Sequence, residues 1–103
     1  MLLYDYYVMS APIISSISNS GKKKMNIKWA DVDGADGYEL QYSKMGNFKS
    51  GITKKSIGAT VTSASYSKLT KGKTYYVRIR SYVDVNGTKK YSGWSKKSVV
   101  IKK

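Results

Sequence analysis

The chain has 103 residues, with 19 Lys and Arg against 6 Asp and Glu for a net charge of +13, and it contains neither Cys nor His. That length carries one domain with a single core, not a core plus a roomy catalytic cleft. Without Cys there are no disulfides or thiolate metal sites, and without His the usual general base and commonest metal ligand are missing, so the composition argues against an enzyme.

In chain order, residues 1–10 (MLLYDYYVMS) stand apart, because all 19 cationic residues lie after residue 20. The stretch lacks a cationic start and Asp5 interrupts its apolar run, so it reads as neither a signal peptide nor a membrane span. Tyr4, Tyr6 and Val8 alternate with Asp5, Tyr7 and Met9, which suits an extra strand, a docked extended arm or a heterologous prefix. Its strand-like composition without Lys also suits pairing with an exposed sheet edge, in its own copy or a neighbour. Residues 1–11 are therefore set apart from a domain over residues 12–103.

After Pro12, short alternating segments recur with turn signals between them. Residues 13–17 read as a strand ended by Ser18-Asn19-Ser20-Gly21. Met25, Ile27 and Trp29 alternate with Asn26 and Lys28, and a turn-rich loop spans residues 31–37. Tyr38, Leu40 and Tyr42 alternate with Glu39, Gln41 and Ser43. Weaker strands cover residues 51–57 and 60–66. Leu69, Gly72 and Tyr75 then form a tight corner into a strictly alternating strand over residues 75–82, a layout in which the Tyr75 hydroxyl can bond back to the turn backbone. Asn86-Gly87 is a strong hairpin signal, since both residues tolerate positive φ. A last strand follows, opening on Tyr91-Ser92-Gly93-Trp94-Ser95 and placing Val99 and Ile101 inward. About seven short antiparallel strands with no helical period predict an all-β, immunoglobulin-like Greek-key sandwich.

The pattern resembles the fibronectin type III family over residues 12–103. Pro12, Trp29, the run Gly37-Tyr38-Glu39-Leu40-Gln41-Tyr42, the Leu69, Gly72 and Tyr75 corner, and Val77 and Ile79 carry the resemblance. Lys71 stands where the family often has Pro, which softens the turn. The phrasing GYELQYS, NFK, YYVRIRSY and VNGTKKYSGWSK is similar to copies in secreted and surface proteins of Gram-positive, Clostridia-like bacteria. The resemblance implies an extracellular or cell-surface module beside other domains of a parent protein. Alternation then places Met25, Ile27 and Trp29 opposite Tyr38, Leu40, Tyr42, Tyr75, Val77 and Ile79 between two sheets, with Leu69 at one end.

One face offers binding chemistry. The outward residues of strand 75–82 are Tyr76, Arg78, Arg80 and Tyr82, and Tyr91-Ser92-Gly93-Trp94-Ser95 resembles a variant of the WSxWS box of cytokine receptors. Residue matching implies that Arg78 and Arg80 sandwich Trp94 and Tyr91 in a cation–π ladder. The same six residues, Tyr76, Arg78, Arg80, Tyr82, Tyr91 and Trp94, otherwise make a platform for stacking sugar or peptide.

Asp31, Asp33, Asp36 and Glu39 gather around one loop. Calcium loops need a further ligand where Ala35 stands, and Gly34 comes too early, so a turn is the better reading. A hydrolytic carboxylate pair needs a cleft as well as a separation of about 5–9 Å. No phosphate-binding loop, metal-ligand spacing or nucleophile elbow is present, and neither metal nor cofactor is expected.

All but Arg78 and Arg80 of the 19 cations are Lys, mostly in loops and at strand ends. They keep edge strands soluble, and they also attract anionic cell-wall polymer over long range; nucleic acid is the weaker match. The expected role is a non-catalytic spacer or docking module. The alternatives are a carbohydrate or cell-wall-polymer binder using the Tyr/Arg/Trp face and Lys-rich loops, and a protein-recognition scaffold using loops 31–37 and 83–90.

Overall fold

The structure, a computed structural model, describes residues 10–103, so the readings of the first nine residues lie outside the described residues. Eight strands follow: β1 (Ile14–Gly21), β2 (Lys24–Trp29), β3 (Gly37–Ser43), β4 (Thr53–Gly58), β5 (Ser63–Tyr66), β6 (Thr74–Val85), β7 (Thr88–Tyr91) and β8 (Ser95–Val100). They form an all-β sandwich of two antiparallel sheets. One has the order β1-β2-β5, and the other runs β4-β3-β6-β7 with β8 also on β6.

Several boundaries depart from the sequence reading: β4 and β5 start later, at Thr53 and Ser63, β6 runs on to Val85, and two further departures shape the site. The first strand does not stop at Ser18 but continues to Gly21 through register shifts that absorb the polar run. Asn19 makes this possible: its Nδ2 donates to the Gly21 and Lys24 carbonyls, both at 2.8 Å, and its Oδ1 accepts from the Lys102 and Lys103 amides, also at 2.8 Å. The second departure is the last strand, which is two strands. β7 pairs with β6 through Tyr82 and Tyr91, β8 through Ile79 and Ser95, so Arg80 and Ser81 oppose Ser92, Gly93 and Trp94. This is a bulge with one extra residue. Ser92 fills it, donating from its amide to the Ser81 carbonyl and accepting the Ser81 amide on Oγ, each at 2.9 Å.

The core lies where the alternating apolar residues of both sheets meet. Met25, Ile27 and Trp29 of β2 are buried against Tyr38 and Leu40 of β3 and Tyr75, Val77 and Ile79 of β6, with Ile14, Leu69 and Ile101 closing the cluster. The Trp29 and Tyr38 rings meet edge to face, with centroids 5.8 Å apart. Tyr42 is partly buried between Tyr66 (4.9 Å) and Tyr75 (6.2 Å). Burial, followed by the neighbouring Tyr42, pushes the Tyr66 phenol up to about 12. Trp29 Nε1 is buried without a hydrogen-bond partner among the described residues. At the corner, the Thr70 amide donates to the Tyr75 hydroxyl at 2.7 Å, and Gly72 supplies the positive φ of 87° that the turn requires.

Candidate functional site

The outer face of the five-stranded sheet holds the six residues that the sequence offers for binding. Strand alternation puts Arg78 and Arg80 on this face, and register places Gln41 and Glu39 of β3 directly beside them. The bulge decides the rest. Tyr91 and Trp94 are three positions apart and would point to opposite faces in a regular strand; the extra residue turns both outward.

The result is a stack. The Arg78 guanidinium lies 4.3 Å from the Phe48 ring centroid and 4.2 Å from that of Trp94. Arg80 lies 4.3 Å from Trp94 and 3.6 Å from Tyr91. The order is therefore Phe48, Arg78, Trp94, Arg80, Tyr91. Tyr82 meets Tyr91 edge to face at 6.1 Å and carries Lys89 Nζ 4.5 Å from its centroid. Tyr76 sits off the stack and covers Gly46, where a Cβ would approach its ring at 3.3 Å.

A second row fixes the guanidinium planes. Arg78 donates from Nε and Nη2 to Gln41 Oε1 at 2.9 and 2.7 Å, and Arg80 likewise to Glu39 Oε1 at 3.1 and 2.7 Å. Gln41 Nε2 then donates to Glu39 Oε2 at 2.6 Å, joining the pairs. Burial alone would raise the Glu39 carboxyl, but the bonds from Arg80 and Gln41 outweigh it and hold it below its ordinary value. Burial and the adjacent Arg80 lower the Arg78 guanidinium against the pull of Glu39.

Phe48 is the member that sequence reasoning missed. It lies in the loop between β3 and β4, outside any alternating run, at a positive φ of 55°. The Ser43 hydroxyl folds this loop, donating to the Ser50 carbonyl at 2.9 Å and accepting the Met45 amide at 3.0 Å. The chain's single Phe in a turn-rich segment was the available signal.

The acidic loop is occupied with its own structure. Tyr38 donates its hydroxyl to Asp31 Oδ1 at 3.0 Å and accepts the Val32 amide at 2.9 Å. Burial is the main reason the Tyr38 phenol is raised; the Val32 bond opposes it and Asp31 adds to it. Asp36 Oδ2 accepts the Asp84 amide at 2.7 Å, tying loop 31–37 to β6; the expected loop 83–90 is instead a strand hairpin of β6 and β7 that leaves only Asn86 and Gly87 as its turn. Among the described residues no group of three or more acidic side chains is placed to hold a metal ion.

Against known families, the chain matches the fibronectin type III domain over residues 10–99. It belongs to the fibronectin type III family. Solved structures share the fold at low identity. The domain from human collagen α-1(XX) is 12% identical with a TM-score of 0.77, covering 92% of this chain and 87% of that one. A fibronectin type III-like protein from Clostridium thermocellum is 18% identical with a TM-score of 0.66, covering 89% and 92%. A computationally redesigned β-sandwich is 16% identical with a TM-score of 0.65, covering 87% and 84%. No curated protein matches this fibronectin type III domain in sequence.

Proposed function

We propose that this fibronectin type III domain is a non-catalytic spacer or docking module in a larger extracellular or cell-surface protein of Gram-positive type. The observation that carries the reading is the state of its outer face. The Arg and aromatic groups that would recruit a ligand are already stacked on one another, and their polar edges are spent on Gln41 and Glu39. Such a face stiffens a sheet, which is what a spacer needs, and its partners are the neighbouring domains of the parent. The test is retention on Gram-positive cell walls and insoluble polysaccharides at low and high salt. A spacer shows none that survives high salt, because only polyanion attraction is screened away; retention at high salt would refute the reading.

One feature favours carbohydrate binding as a second reading. A groove of about 150 Å³ opens beside the stack between Lys54, Lys89, Tyr82 and Tyr91. Tyr91 is 42% exposed there and leaves part of its ring free for a sugar. On this reading, retention persists at high salt and disappears with Tyr91→Ala.

A further inference from the structure

The end of the sandwich away from the acidic loop is built differently. There the β1–β2 turn, the corner before β6 and the end of β8 are laced by main-chain bonds. Lys23 donates its amide to the Lys103 carbonyl at 2.8 Å, Leu69 to Lys23 at 3.0 Å, and Gly72 to Ile101 at 2.6 Å. Asn19 adds its four bonds from the side. This lacing brings Lys22, Lys23, Lys71 and Lys103 around one open groove of about 590 Å³.

Among the described residues, no Asp or Glu side chain lines this groove. Asp31, Asp36 and Asp84 lie at the other end, as the β3–β6 register from Gly37–Tyr82 to Ser43–Tyr76 requires. Glu39 is engaged with Arg80 in the one ion pair among the described residues. Four lysines around one groove concentrate positive charge, and an entering anion relieves their mutual repulsion. We propose that this groove binds a flexible chain of phosphate groups, a phosphodiester or polyphosphate polymer, independently of the spacer reading.

The lining selects that class. Lys presents compact point charges suited to successive phosphates, without the planar fork that reads a single carboxylate. A nucleic acid would in addition need rings or guanidinium planes for its bases. The described residues lining the groove are all Lys, whereas the arginines and Trp94 are stacked on the outer sheet face. A second copy of the chain is disfavoured, since both partners carry +13.

The experiment titrates the intact chain into end-labelled long-chain inorganic polyphosphate and follows anisotropy across a salt series. Three proteins are compared: wild type, Lys22→Gln/Lys71→Gln, and Lys28→Gln/Lys96→Gln, which removes equal charge elsewhere. The groove variant should bind about tenfold more weakly at low salt and lose about 1.5 from the log–log salt slope, while the control changes less than about threefold. Thermal melts establish that both variants are folded. Equal losses in the two variants, no binding by wild type at low salt, or binding that appears only with dimerisation in sedimentation would each overturn the proposal. So would oligothymidylate of matched charge binding about tenfold tighter than polyphosphate, because that preference requires base contacts.

Discussion

The Arg80 guanidinium carbon lies over the Tyr91 ring, 3.6 Å from its centroid, and the contact joins β6 to β7. The contact exists because Tyr91 pairs with Tyr82, one bulge away from the register of β8. It closes a ladder in which every charged group is held from two sides, by rings and by the Glu39–Gln41 row.

The ladder's electrostatic row responds to acid. Glu39 is held below its ordinary 4.5 in the folded chain, so it contributes stability above that value, which is lost as pH falls through the folded pKa. The urea midpoint of the wild type should drop as pH falls below about 4.5, and Glu39→Gln should flatten that part of the profile. Identical profiles would take Glu39 out of the acid response.

The corner before β6 rests on one side-chain bond. Tyr75→Phe keeps the ring in the core and removes only the acceptor of the Thr70 amide. The expected cost is about 1 kcal/mol, a fall of roughly 4–8 °C in the melting temperature. A melt unchanged from wild type would mean that the bond adds nothing to the corner.

Gly37 is irreplaceable for a packing reason. A Cβ there would lie 2.6 Å from the Tyr82 hydroxyl and 2.8 Å from the Ile57 carbonyl. The Tyr82 ring can swing aside, but the Ile57 backbone cannot, so Gly37→Ala should destabilise by about 1–3 kcal/mol in urea unfolding. Gly58→Ala, with no atom within 4 Å of its new methyl, serves as the tolerated comparison.

These sites differ in how far the sequence revealed them. Alternation alone identifies the inward rows Met25, Ile27, Trp29 and Tyr75, Val77, Ile79, because a strand's period of two is fixed by its backbone. The Leu69–Gly72–Tyr75 spacing likewise carried the corner. The outward residues Arg78, Arg80 and Trp94 were legible as a group, and their stacking came from the resemblance, not from periodicity. The break at Ser92 was not legible, since an extra residue in one strand shows only against its partner's register. Asn19 and Phe48 were missed for the same reason: a polar residue in a strand and an apolar one in a loop acquire roles only through distant neighbours, Lys102 and Arg78.

The outer face works as a structural ladder only if its rungs are coupled. A double-mutant cycle of Arg80→Ala and Trp94→Ala in urea unfolding isolates one rung from the Glu39 pair that Arg80 also makes. A favourable coupling of about 0.5–1 kcal/mol is predicted for a stack at this exposure. Coupling indistinguishable from zero would contradict the ladder and leave the Arg and Trp side chains free for a ligand.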